Sequence, residues 1–148
     1  VFDSVGTHID EINEYARIYR PDVMFIDQLD KVHISGTYNR TDEKLKEVYV
    51  RAREISKRHE CLLWAVSQAS YEAEGKSIID YSMLDNSRTG KAGEADLIIG
   101  IGRGADNNDL SDPNRCITIS KNKLNGWHGS RHATISIRRG VFESDNNA

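Results

Sequence analysis

Short apolar runs alternate along this chain with longer stretches of helical spacing. Val23-Met24-Phe25-Ile26 follow Pro21 without a polar break and end on Asp27. A run of that kind reads as a strand, residues 22–27, buried on both faces. Upstream, Thr7 reads as the N-cap of a helix in which Ile9, Ile12, Ala16 and Tyr19 recur at helical spacing, ending near Arg20-Pro21. Val1-Phe2 reads as the end of an earlier strand. Downstream, residues 28–40 are polar and hold Gly36, Tyr38 and Asn39, as a loop does. Thr41 is expected to cap a long helix to about Arg58, with Leu45, Val48, Val50, Ala52 and Ile55 as its apolar stripe. Residues 61–66 form a second apolar run ending at Ser67-Gln68. Strand, helix and strand in that order predict a right-handed parallel βαβ unit.

The second half is less regular. Residues 69–93 read as irregular, with a short helix around 77–84. Asp96-Leu97-Ile98-Ile99-Gly100-Ile101 predicts a third buried strand, followed by an acidic loop rich in Gly, Asn, Asp and Pro over 104–114. Cys116-Ile117-Thr118-Ile119 and residues 133–137 alternate with β-type residues, and Asn125-Gly126 and Gly129 supply a turn between them. They predict an antiparallel hairpin. Residues 144–148 read as a disordered tail after a single domain over 1–143. The expected class is α/β: a mostly parallel twisted sheet flanked by helices and ending in an antiparallel hairpin.

Composition narrows the function. A chain of 148 residues with 38% hydrophobic and 29% charged positions suits one soluble domain. No apolar run approaches the ~20 residues that span a membrane, and the N-terminus lacks a signal-peptide pattern. Cys61 and Cys116 sit beside strand-like runs and read as reduced core residues, so a cytoplasmic setting is expected. No Cys/His cluster has zinc spacing, and the five histidines are scattered. A net charge of −3 excludes a protein that coats nucleic acid by bulk charge, yet leaves room for a local basic groove. Acids concentrate before about Asp112, and Lys121, Lys123, Arg131, Arg138 and Arg139 follow.

The candidate chemistry begins with Asp27. It falls at the carboxyl end of its strand, the edge where open α/β sheets bind ligands. Asp also suits turns, so a plain strand ending is the other reading. Three further signals follow in order: Gln68 at the end of the next apolar run, Ser87-Arg88-Thr89-Gly90 before the third, and Lys121-Asn122-Lys123-Leu124-Asn125-Gly126 after a later strand. This order resembles the RecA-like motor domain of DnaB-type replicative helicases and phage primase-helicases, over nearly the whole chain. Phe25-Ile26-Asp27-Gln28-Leu29 resembles the Walker B strand, Ser67-Gln68 the third helicase motif, and Asn39-Arg40-Thr41 the segment before the family's long helix.

The resemblance implies ATP or another NTP and Mg2+ as cofactors, with Asp27 on the metal and Gln28 beside the nucleotide. Gln68 would sense the γ-phosphate and pass its state to the DNA loops. Arg103 matches a residue that stacks on the base. Lys121 and Lys123 match a Lys-x-Arg pair that reaches into a neighbouring subunit's site. Two apart on a strand, they would point to one side. Lys stands at position 123 where the family has Arg, so a point charge replaces a planar fork. Asn86, Ser87, Arg88, Thr89, Gly90 and Lys91 are the candidates for single-stranded DNA, whose phosphates suit small and basic residues near glycine. The loop over 31–40, with Tyr38 and Arg40, is a second candidate. Each has a plain alternative: solvated helix faces, a basic hairpin in water, or an ordinary surface loop.

Two parts of such a site are missing. Thr89-Gly90-Lys91-Ala92 is not a phosphate-binding loop: Asp85 stands where the first glycine belongs and Ala92 where Ser or Thr does. The family's catalytic glutamate on an earlier strand has no counterpart either. Both are expected to precede Val1. The expectation is a fragment, inactive alone, of a hexameric ATP-dependent helicase acting on single-stranded DNA, with no membrane partner. It is expected to be phage-encoded and so to work in the host cytoplasm. The alternatives are a RecA- or KaiC-like ATPase of recombination or signalling, and a degenerate binding module without catalysis.

Overall fold

The computed structural model describes residues 6–85, 88–104, 109, 111–136 and 138–144. The chain divides into two compact units, Val1–Gln68 with Asn86–Glu94, and Ala69–Asp85 with Ala95–Ala148.

Caps and helical spacing build the first unit. Helix α1 (Ile9–Tyr19) is capped by His8 rather than Thr7: the His8 ring accepts from the Asp10 backbone N–H, and Glu11 reaches back to the His8 N–H at 3.2 Å. Thr7 is occupied elsewhere, its carbonyl accepting from the His33 N–H at 2.9 Å, so the entry to α1 is tied to the loop beyond the first strand. Arg20 ends α1 in the left-handed conformation, and β1 (Val23–Ile26) follows. Helix α2 (Thr41–His59) starts one residue earlier than the expected cap, with Arg40 at the N-cap and Thr41 already inside. Asp42 and Glu43 in its first turn and Lys57, Arg58 and His59 in its last suit the helix dipole. Strand β2 (Leu62–Ala65) pairs parallel to β1, from Val23 opposite Leu62 to Ile26 opposite Ala65. The expected βαβ unit is present.

The core of this unit joins Ile9, Ile12 and Ala16 of α1 to Val48, Ala52 and Ile55 of α2, with Leu29 and Val32 from the turn after β1. Met24, Ile26 and Leu63 pack onto it from the sheet. The strands were expected to be buried on both faces, and they are covered on one. The alternate residues Val23, Phe25, Leu62 and Trp64 face water, with Phe25 75% exposed and its ring stacked on Trp64 at 6.3 Å. Successive side chains point to opposite faces, and the helical core lies against only one of them.

Helix α3 (Arg88–Glu94) occurs where irregular chain was expected, and belongs to the first unit. The Arg53 guanidinium of α2 donates to the Glu94 carbonyl at its C-terminus.

The second unit holds an antiparallel sheet in the order β3 (Leu97–Arg103), β4 (Asn114–Asn122), β5 (Gly129–Ser136), β6 (Val141–Ser144). This corrects the expectation of a mostly parallel sheet: among the described residues β1–β2 is parallel, and β3–β4, β4–β5 and β5–β6 are antiparallel. A parallel return needs a crossover of a dozen or more residues, usually a helix. The Gly/Asn/Asp/Pro-rich link between β3 and β4 has no helical pattern. The expected hairpin is therefore the middle of a larger meander. Ser144, assigned to the tail, pairs with Ala133; residues 145–148, Val1-Phe2 and Ile137 lie outside the described residues.

Two 3₁₀ turns, Tyr71–Ala73 and Tyr81–Met83, replace the helix expected near 77–84. Gly100 and Gly102 let the backbone at Ser77 and Ile79 lie directly on β3, where any Cβ would collide with those carbonyls. Asp80 caps the second turn through the Ser82 N–H at 2.9 Å, and Ser120 of β4 donates to its other oxygen at 3.5 Å. Burial pushes the Asp80 pKa up, but the bonds from Ser82, Ser120 and Tyr81 outweigh it and hold the carboxyl below its usual value. Both cysteines are buried and free, as expected.

Leu29→Ala, at a site 1% exposed, should cost about 2–5 kcal/mol in chemical denaturation. Ile18→Ala on the exposed side of α1 should stay within about 0.5 kcal/mol. The depressed Asp80 pKa stabilises the fold above the ordinary carboxylate value of ~3.9, and that contribution disappears as pH falls through the lower folded value. Asp80→Asn should therefore flatten the acid limb of a stability profile below the ordinary carboxylate value while lowering stability at neutral pH.

Candidate functional site

The parallel pair fixes the place of the first two candidates. Ile26 lies opposite Ala65, so Asp27 and Gln68 both follow the carboxyl ends of neighbouring parallel strands and share one edge. The backbone holds that edge together past the ladder: the Val66 N–H donates to the Ile26 carbonyl at 3.0 Å, and the Leu29 N–H to the Val66 carbonyl at 3.3 Å. Asp27 and Gln68 are exposed. A single open carboxylate suits Mg2+, which keeps several waters and completes its shell with substrate phosphates. Among the described residues no group of three His, Cys, Asp or Glu side chains could cage a metal. Gln28 behaves differently from Asp27: its Oε1 is turned inward and has no hydrogen-bond partner.

Directly behind this edge lies a buried polar cluster. Lys91 of α3 is 2% exposed. Its Nζ donates to Asp30 Oδ2 at 2.9 Å and to Ser67 Oγ at 3.2 Å. Ser67 Oγ donates to the same Asp30 oxygen at 2.9 Å, and the Tyr49 hydroxyl of α2 donates to Asp30 Oδ1 at 2.7 Å. The ammonium also sits 5.7 Å from the centre of the Tyr49 ring. Burial and then the Asp30 charge drive the Tyr49 pKa far up, so its hydroxyl stays a donor. A lysine near a serine hydroxyl is also the composition of a nucleophilic dyad. Here the hydroxyl and the ammonium both donate to one carboxylate, so neither serves the other as a base.

This burial corrects the placement of Lys91 among residues offered to a DNA phosphate: its charge is inside, neutralised by Asp30. Gly90 is also buried. Arg88 and Thr89 form the first turn of α3; Asn86 and Ser87 lie outside the described residues. In the second loop Arg40 makes a bidentate pair with Asp42 at 3.0 and 2.8 Å, and the Tyr38 hydroxyl donates to the Ser35 carbonyl.

The remaining candidates belong to the second unit. Lys121 lies in β4 opposite Ile98. Lys123 does not share its strand, because β4 ends at Asn122 and Lys123 opens the turn. Its N–H donates to the Asp96 carbonyl at 2.8 Å and its Nζ lies 3.7 Å from the Asp96 carboxylate. The strand-period argument that put the two lysines on one side therefore fails. Arg103 ends β3 and lines a cavity of about 490 Å³ with Tyr71, Lys76 and Arg115. Its guanidinium donates to the Asp109 carbonyl at 2.6 Å.

Asp30, Tyr49 and Lys91 in its buried role were missed by sequence reasoning. One signal was available: Gly90 and Ala92 flank Lys91, both are buried, and residues so small let a helix lie close against its neighbours.

No protein-family model and no curated protein matches the chain. Solved structures do. One, an ATPase domain, superposes with a TM-score of 0.83 at 19% identity, over 97% of this chain and 53% of that one. A DnaB-like replicative helicase, solved to describe its interactions with primase, gives a TM-score of 0.83 at 20% identity over 96% of this chain and 37% of the other. The chain thus has the fold of DnaB-like helicase ATPase domains, and spans about half or less of the structures it matches.

Removing one member of the buried pair leaves the other charge uncompensated. Asp30→Asn and Lys91→Met should each cost about 3–5 kcal/mol, and the double variant should return to within about 2 kcal/mol of the parent in a denaturation cycle.

Proposed function

We propose that this chain is part of an ATP-driven replicative helicase that moves along single-stranded DNA as a hexameric ring, hydrolysing NTP where subunits meet. The observation that carries this reading is the shared edge: Asp27 and Gln68, picked out separately in the sequence, follow the carboxyl ends of adjacent parallel strands. The fold shared with DnaB-like ATPase domains supports it.

On this reading Asp27 would hold Mg2+ through water, and the ion would supply charge neutralisation at the NTP phosphates. Gln68, neutral and exposed, donates to the γ-phosphate and changes partner when it departs. Lys121 and Lys123 supply positive charge to the site of a neighbouring subunit. The Lys123–Asp96 contact at 3.7 Å is exposed and loose. Exposed pairs of this kind are worth about 0–1 kcal/mol, so Lys123 can exchange Asp96 for a phosphate at small cost. Arg103 contributes to holding the nucleotide. Single-stranded DNA is met by Asn86, Ser87, Arg88, Thr89 and Gly90. These 148 residues hold no Gly-x-x-x-x-Gly-Lys-Ser/Thr phosphate cradle.

The test is Mg2+-dependent ATP hydrolysis by the full-length protein. Asp27→Asn should lower turnover at least ~100-fold, the scale for one electrostatic element, with thermal unfolding unchanged. The 148-residue chain alone should show no turnover. Hydrolysis by the Asp27→Asn protein at a near-parental rate would remove Asp27 from the site and with it this reading.

A further inference from the structure

The buried cluster joins three segments that the proposed function uses separately. Asp30 lies three residues past Asp27, in the 3₁₀ turn Leu29–Lys31 that follows β1. Ser67 immediately precedes Gln68. Lys91 immediately follows the segment assigned to DNA. One ammonium bonds the first two segments from the third, at 2.9 and 3.2 Å.

We infer that Lys91 is a positioning residue: through Asp30 and Ser67 it makes the head of α3 and the Asp27–Gln68 edge move as one piece, so that DNA on the one alters hydrolysis at the other. The inference rests on the helicase reading. Three features separate it from a plain packing role. An ion pair costs more to bury than a hydrophobic contact of equal size, so stability alone does not account for it. Lysine's three donors are directional, and two of them meet side chains from different loops, which fixes the relative placement of those loops as apolar packing does not. The Ser67 hydroxyl also closes a triangle with Lys91 and Asp30, so a shift of the chain at Gln68 must stretch a buried bond or carry α3 with it. Tyr49 holds the far Asp30 oxygen from α2, an element of the core, and so gives the cluster a fixed anchor.

The test compares basal ATP hydrolysis with hydrolysis in the presence of oligo-dT, using full-length protein. Ser67→Ala cuts the link beside Gln68 and leaves the Lys91–Asp30 pair intact. It should keep basal turnover within about twofold and reduce the DNA stimulation about tenfold, within the range that residues coupling two sites command. The Asp30→Asn/Lys91→Met double variant regains stability yet should lack the stimulation as well, which a merely structural role would not produce. If both proteins keep parental stimulation while folding normally, Lys91 is only a packing element. If the unmodified protein shows no DNA-stimulated hydrolysis at all, the helicase reading fails first and takes this inference with it.

Discussion

A lysine ammonium cannot be placed among apolar side chains without a partner, and this chain meets that demand with Asp30. The constraint organises the first unit. Asp30 must be delivered to the end of Lys91 at 2.9 Å, which sets the path of the turn after β1. The same carboxylate then gathers a hydroxyl from the end of β2 and a phenol from α2. Four elements are thereby held by directional contacts at the one sheet edge where chemistry is expected. Desolvating two ions costs several kcal/mol each, so this pair fixes arrangement more than it adds stability. The stability comes from the apolar interlock of α1 with α2.

Much of the first unit could be read in the sequence because its signals are local. Of the stripe that specifies α2, Leu45, Val48, Ala52 and Ile55 are buried and Val50 is half-buried. The apolar runs at 23–26 and 62–65 specify strands, and the helix between them specifies their parallel sense. Cap positions moved by one residue, because His8 competes with Thr7 once Thr7 is drawn into the contact with His33. Burial was harder to read. A run of four apolar residues has the same appearance whether one face or two are covered, and only the packing of α1 and α2 decides it.

The second unit and the buried cluster show what local pattern leaves out. The Ile-rich run at 97–101 looks like a central parallel strand, but it pairs antiparallel with β4, and the link between them is shorter than the dozen or more residues a parallel crossover needs. Lys121 and Lys123 obey a strand period in the sequence, but the turn begins between them. Asp27 and Gln68 were legible because each ends an apolar run. Asp30 and Lys91 lie 61 residues apart in the chain. Each alone looks like an ordinary charged surface position, and nothing short of the tertiary fold brings them together.

The half-covered parallel pair has a mechanical implication. A two-stranded ribbon is marginal by itself in water, and here Met24, Ile26 and Leu63 pack it onto the core. Its stiffness is therefore lent by α1 and α2, while the Phe25 and Trp64 rings on the other side are exposed. Because β1 and β2 are hydrogen-bonded to each other along their length, whatever holds one strand in place holds the tips of both.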